Sequence, residues 1–296
     1  MVDSIINCAS PEDADAVLIG VPYEHGASFG AGAARGPAAI VACLDRQIEF
    51  FERHTGTEPA QRYAIALRML EDVGALPPER MVERVAEAVL RCDAFVVLLG
   101  GIHSVSIGAL RAHARRSPAD DVTVVQIDAH LDMRDDDSDY NDRDPSHFAH
   151  SCVMRRAREM GFRTCSIGAR AYALSEHRYA KEERLPVFEW GRNRTPEIDA
   201  ILDAIKTDRV YLTIDVDGFD PAVTPGTGTP VPGGISWDYG TRLLRELFLA
   251  KEVIGADIVE VAPLAGSGLT EYAAAQLCYD ILCYKLLKRD GELAFS

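Results

Sequence analysis

No run of this 296-residue chain reaches the roughly 18–20 apolar residues that a membrane-spanning helix needs, so no membrane partner is expected. Residues 1–11 carry Asp3 and no basic cluster ahead of an apolar core, so a secretory leader is not expected there. The seven cysteines (8, 43, 92, 152, 165, 278 and 283) include no Cys-x-x-Cys pair. Their odd number and mostly apolar settings read as free thiols in a reducing compartment, which places the chain in the cytoplasm. Cys152 lies two residues after His150, but with no further activating partner it reads as inert. Basic charge is scarce: 31 Lys and Arg against 46 Asp and Glu leave a net charge of −15. Such a surface repels nucleic-acid phosphate and anionic lipid, and it suits a small cationic substrate. Internal repeats, low-complexity tracts and linkers are also missing, so one domain over residues 1–296 is expected.

What is present is a rhythm. Short apolar runs rich in Val, Ile and Leu occupy 16–21, 94–99, 122–127, 164–167, 210–214 and 253–261. Helix-like stretches lie between or after them, at 78–91, 105–115, 151–160, 196–206, 237–250 and 270–288. Continuous apolar strands alternating with amphipathic helices predict a parallel sheet covered on both faces. The pattern alone allows a doubly wound sheet or an eight-fold barrel.

Polar residues gather where the predicted strands stop. Gly100-Gly101-Ile102-His103-Ser104 follows one strand, Ile127-Asp128-Ala129-His130-Leu131-Asp132 another, Ile214-Asp215-Val216-Asp217 a third and Glu260 a fourth. In extended backbone, side chains at every second position share one side, which aims Asp128, His130 and Asp132 together, and Asp215 with Asp217. Sites in open parallel sheets form beyond such strand ends. Four carboxylates, Asp128, Asp132, Asp215 and Asp217, carry a summed charge of −4 and would repel one another without cations. Two divalent ions neutralise them, whereas one leaves an excess of −2. Carboxylate and imidazole donors without thiolate suit Mn2+, with Ni2+, Co2+, Fe2+ or Zn2+ compatible. A calcium loop would rarely use histidine. Two such ions about 3.5–4 Å apart turn a shared water into hydroxide near neutral pH.

These motifs together resemble those of the ureohydrolases, the arginase and agmatinase family. Gly20-Val21-Pro22-Tyr23, the run from Gly32 to Ile40, Gly100 to Ser104, Asp128 to Asp132, and Asp215 to Pro221 continuing to Pro225-Gly226-Thr227-Gly228-Thr229-Pro230 occur in the family's order. The resemblance implies a three-layer α/β/α sandwich around a mainly parallel sheet, and a dinuclear, usually manganese, centre. It implies His103 and Asp132 on one metal, His130 and Asp217 on the other, and Asp128 and Asp215 bridging both. Hydroxide held between the ions would attack a guanidinium carbon, giving urea and an amine, with Asp132 orienting it and handling its proton. Glu260, which would be costly as a lone buried carboxylate, would pair with the substrate guanidinium. His150 aligns with a mobile-loop histidine that shuttles protons or contacts substrate. His147, three residues before it, together with His25 and His113, reads as structural. A homo-oligomer, trimeric or hexameric, is also implied.

One position departs from the family: Ile102 stands where members commonly carry an acid, which could alter the metal's surroundings. The acidic segment 135–144 would favour a substrate with a second positive charge if its carboxylates overhang the pocket; otherwise it is a solvated loop. With the run from His150 to Arg156 closer to agmatinases than to arginases, the leading reading is hydrolysis of agmatine to putrescine and urea. Guanidinobutyrate, guanidinopropionate, arginine and guanidine are the other substrates considered. The competing classes are a weakly active or regulatory subunit on this fold, and a metallohydrolase of related fold with one zinc.

Overall fold

The structure, a computed structural model, describes residues 3–191 and 195–295. Met1 and Val2, at the head of the segment read as lacking leader character, lie outside the described residues, as does Ser296 at the end of the expected domain. Eight parallel strands form one sheet: β1 (Ala16–Val21), β2 (Ile65–Met69), β3 (Phe95–Gly100), β4 (Val122–Ile127), β5 (Arg163–Ile167), β6 (Val187–Phe188), β7 (Arg209–Asp215) and β8 (Glu252–Val259). Their order is β2-β1-β3-β8-β7-β4-β5-β6. The sheet keeps two open edges, β2 and β6, so the eight-fold barrel is excluded.

Strand alternation explains the continuous apolar runs. Val17, Ile19 and Val21 of β1 enter one buried cluster, while Ala16 and Leu18 enter the other. Val96 and Leu98 of β3 divide in the same way from Val97 and Leu99. Both faces are buried, so both sets of alternate residues must be apolar. Helices α2 (Pro78–Leu90), α3 (Val105–Arg116), α4 (Val153–Glu159) and α5 (Leu174–Glu182) contribute to the first cluster. Helices α1 (Gly36–Arg46), α6 (Ile198–Ala204), α7 (Trp237–Ala250) and α8 (Leu269–Arg289) contribute to the second. The result is the three-layer α/β/α sandwich. No helix among the described residues is long and apolar enough to cross a membrane.

Four elements were not expected from sequence: α1, β2, α5 and β6. The two strands pair along the sheet's outer flanks, β2 with Arg68 in its register and β6 with two residues, so neither carries a long apolar run. Helix α5 buries only Glu176 and Ala180, leaving no apolar stripe to detect.

The topology decides where chemistry can occur. From β1 the chain first steps outward to β2, then β3 takes β1's other side, and β8 and β7 fill the space between β3 and β4. The ends of β3, β8, β7 and β4 therefore stand side by side at the middle of the sheet, the position where open parallel sheets bind ligands.

Gly101 sits at the tightest point of this rim. Its N–H donates to Val21 O at 2.9 Å, and its carbonyl accepts from the Glu260 N–H at 2.8 Å. A Cβ there would lie 2.0 Å from Tyr23 O. Gly101→Ala should cost at least roughly 1–3 kcal/mol in chemical denaturation, because rigid backbone must move. An unchanged denaturation midpoint would contradict this close approach.

Candidate metal centre

Each candidate ligand stands where a central strand stops. β3 closes at Gly100 and leads to His103; β4 closes just before Asp128; β7 ends on Asp215; β8 closes just before Glu260. The alternation expected from sequence does not continue past the strands. Residues 128–132 lie beyond β4, Asp132 adopts a φ of 51°, and Asp217 belongs to a 3-10 turn at Val216–Gly218. Turning backbone, not pleated strand, brings these side chains together.

Asp132 and Glu260 (φ 65°) are two of three non-glycine residues with positive φ among those described. Such backbone costs of order 1–3 kcal/mol and persists only where neighbours hold it. Asp132 O accepts from the N–H groups of Met154 (2.9 Å) and Arg155 (3.2 Å), at the start of α4. Glu260 is held by Gly101 and by the His103 N–H, which donates to its Oε1 at 2.8 Å.

Two groups of ligand atoms result. His103, Asp128 and Asp132 offer atoms within 4.8 Å of one another, as do Asp128, His130 and Asp217. Asp128 belongs to both. His103 Nδ1 lies 2.8 Å from Asp132 Oδ2, 3.2 Å from Asp128 Oδ2 and 3.7 Å from Asp215 Oδ2. His130 Nδ1 lies 3.2 Å from Asp217 Oδ2 and 3.4 Å from Asp128 Oδ1. A third group, Asp135, Asp136 and His147, is at the surface, with Asp135 paired to Arg156.

Whether a cation fits is decided by His103. Its Nε2 meets Thr213 Oγ1 at 2.8 Å, and Thr213 donates its own proton to Asp257 Oδ1 at 2.6 Å. Thr213 must then accept from Nε2–H, which leaves a lone pair on Nδ1 in the neutral ring. That buried Nδ1 has no hydrogen-bond partner. A lone pair facing three carboxylates requires a proton or a metal ion between them, so the donor set fits cations.

The acidity of the groups tells the same story. Burial, then the neighbouring Asp128 charge, pushes the Asp132 carboxyl up to about 7. Burial, then Asp217 and Asp128, raises Asp215 well above the carboxylate range. Burial pushes Glu260 to about 8, against the stabilising bond from the His103 N–H. Burial also opposes the charge of Asp128, yet the imidazoles of His103 and His130 hold its carboxyl low.

A cavity of about 370 Å³ opens onto this cluster, lined among others by His130, Asp132, Asp215, His150, Tyr140 and Tyr172. His150 Nδ1 is 3.8 Å from Glu260 Oε1, and its buried Nε2 has no partner. Burial, then the charges of His130 and His103, lowers His150 to about 4. His147 instead faces outward, its Nδ1 2.8 Å from Asp135 O. Cys152 is buried, its thiol pushed up to about 12, as an inert thiol should be. A larger cavity of about 660 Å³, between α7, α8 and residues 49–54, shares no lining residue with the metal cluster.

The acidic segment reaches the cavity through Tyr140, not through its carboxylates. Asp137 accepts from Ser146 N–H and Asn141, Asp136 from Ser138, and Asp139 pairs with Arg134. Ile102 is packed into the apolar cluster with Tyr23 and Val105.

Sequence reasoning overlooked the supporting shell. Gln126 donates to Asp128 Oδ2 at 2.8 Å, Thr229 to Asp217 Oδ2 at 3.0 Å, and Tyr211 to Asp257 Oδ2 at 2.8 Å. The signal was present: Gln126, Thr213 and Asp257 are polar residues inside otherwise apolar strand runs. Glu176, which also lines the cavity, accepts from Met133 N–H at 3.0 Å and carried no such signal.

The arginase family model matches residues 14–283. The chain is 38% identical over 284 residues to the N(1)-aminopropylagmatine ureohydrolase of Synechocystis sp., covering 92% of this chain and 89% of that protein. It is 30% identical over 282 residues to the agmatinase of Pyrococcus horikoshii, covering 92% of each. The crystal structure of agmatine ureohydrolase of Thermoplasma volcanium superposes with a TM-score of 0.84 at 27% identity, covering 99% of this chain and 97% of that one.

Metal binding requires the carboxylates ionised and His103 Nδ1 free of its proton. With Asp132 raised to about 7, ions must displace its proton at pH 6, whereas most of that proton is already lost at pH 8. The rise in Tm on replacing EDTA with Mn2+ should therefore be larger at pH 8 than at pH 6. An equal or reversed shift in calorimetry would count against cation binding by this cluster.

Proposed function

This chain belongs to the arginase family, and on that premise we propose that it is a ureohydrolase that cleaves a guanidino compound into urea and an amine. The observation that carries this reading is Glu260: a buried carboxylate, held by the His103 N–H beside the ligand cluster, with burial favouring its protonation unless a cation arrives. A planar guanidinium offers paired N–H donors that match a carboxylate.

His103, Asp128, His130, Asp132, Asp215 and Asp217 would hold two divalent ions, Mn2+ by the chemistry of the donors. When bound, these would supply an activated water at neutral pH and polarise the group under attack. The protein's own residues do the rest. Glu260 binds and orients the guanidinium. Asp132, buried in the cluster and lining the cavity, is placed to orient the attacking water and take its proton. His150 is neutral at working pH, and its unpartnered Nε2 can relay that proton from Asp132 to the departing amine nitrogen as the C–N bond breaks.

Agmatine, giving putrescine and urea, is one proposed substrate. The name of the Synechocystis relative adds N(1)-aminopropylagmatine, a longer cation of the same class. Tyr140 and Tyr172 in the cavity wall suit a cationic alkyl chain by cation–π contact. A cytoplasmic location, one domain over 1–296 and a homo-oligomer, trimer or hexamer, belong to the same proposal. Exposed Phe51, Leu269 and Tyr272 supply apolar surface for subunit contact, and light scattering should give a mass several times that of one chain.

The deciding assay is urea release with Mn2+, Ni2+ or Zn2+ across agmatine, N(1)-aminopropylagmatine, guanidinobutyrate, guanidinopropionate, arginine and guanidine. Activity should vanish with chelator and with Asp128→Asn. Glu260→Gln should lower kcat/KM by roughly 10²–10³, the cost of removing one partner of a buried charge pair. One tightly bound zinc per chain with no urea formed would overturn the reading. Two bound ions without turnover of any compound would favour a regulatory subunit.

A further inference from the structure

Arg170 follows β5 and belongs to neither run of ligand candidates, yet its bonds join the two. Its guanidinium donates to the carbonyl oxygens of Asp217 (2.6 Å), Gly218 (3.1 Å) and Phe219 (3.2 Å), immediately past β7. It also donates to Gly168 O (3.0 Å) and Val231 O (2.7 Å). Its backbone N–H donates to Ala129 O at 2.8 Å, between Asp128 and His130. The circuit closes through the Ala129 N–H, which donates to Asp217 Oδ1 at 3.0 Å.

We infer that Arg170 is a positioning residue that sets the distance between the two runs, and with it the shape of the site made by Asp128, His130 and Asp217. The inference rests on the two-ion reading above. Five carbonyl oxygens turned toward one point repel one another unless a donor-rich cation lies among them. A guanidinium is planar, permanently charged and carries five N–H donors, whereas a lysine ammonium is a point charge with three. With Asp217 O and Oδ1 both restrained, and Thr229 donating to Oδ2, that oxygen stands 3.2 Å from His130 Nδ1. The His103, Asp128 and Asp132 group takes its restraint from Thr213, Gln126 and α4 instead. Removing the guanidinium should therefore disturb one ion position and spare the other.

The test compares wild type, Arg170→Lys and the control Leu247→Ala, a buried α7 residue chosen to lower stability without touching either run. Mn2+ titration by calorimetry and EPR is read at a temperature where circular dichroism shows each protein folded. Wild type should bind two ions with an exchange-coupled signal. Arg170→Lys should bind one ion as before and the second roughly 10–100-fold more weakly, with the signal of isolated Mn2+. Leu247→Ala should retain the coupled pair. Arg170→Gln, which keeps an amide donor, takes the place of Arg170→Lys if the latter does not fold. An unchanged coupled signal in the arginine variant would overturn the inference while leaving the ureohydrolase reading intact. A second ion lost equally from the control, or failure of both arginine variants to fold, would assign Arg170 to general stability and also overturn it. A single ion in wild type would remove the two-ion premise and the inference together.

Discussion

Four carboxylates and two imidazoles crowd into a buried space at the centre of the sheet, and their mutual electrostatics govern much of what surrounds them. Ionised together in a medium less polarisable than water, the carboxylates repel strongly. Burial and neighbouring charge push Asp132 and Asp215 toward the protonated state, while the imidazoles beside Asp128 hold its carboxyl low. Protons can relieve this conflict one charge at a time, whereas divalent ions carry two charges each and take the lone pair on His103 Nδ1 as a ligand. The structure around the cluster serves to keep these groups close in spite of their repulsion.

The support comes in two forms. One is the buried chain from His103 through Thr213 to Asp257 and Tyr211, which selects the tautomer with Nδ1 turned toward the carboxylates. The other is backbone held in conformations it would not choose. Asp132 and Glu260 both adopt positive φ, and both are secured by hydrogen bonds from other segments. Strain of this kind collects where geometry matters more than local stability.

Membership of the arginase family is consistent with this economy of placement, since three of the family's motifs in this chain, Gly100 to Ser104, Asp128 to Asp132 and the run from Asp215, are the strand ends and turns that form the cluster. The cavity wall is a different matter. Tyr140, Tyr172, Arg134 and Glu176 come from loops and from the start of α5, outside the shared motifs. They are where discrimination among guanidino compounds can arise without disturbing the ligands. The acidic segment illustrates the point: Asp136 and Asp137 are held by local donors and Asp139 by Arg134, none of its carboxylates lines the cavity, and Tyr140 places an aromatic ring there.

The sequence alone determined the architecture's periodic core. Strands such as Ala16–Val21 and Val122–Ile127, and helix Trp237–Ala250, coincide with their apolar patterns because burial on one or both faces leaves a period that can be read directly. It also determined the polar residues at four strand ends, because titratable side chains stand out at the end of an apolar run. Flanking strand β2 and short β6 escaped notice because one-sided pairing demands little apolar length, and α5 because its buried face includes a glutamate. Only the tertiary structure decided how Asp128, His130 and Asp132 meet, through a left-handed turn beyond β4 and not along a strand. It alone placed Thr213, Asp257 and Arg170 around the cluster, and it turned Ile102 into the apolar core. The physical reason is range: periodicity and chemistry of side chains are local, whereas the hydrogen bonds that orient a ligand join residues brought together only by the closing of the sheet.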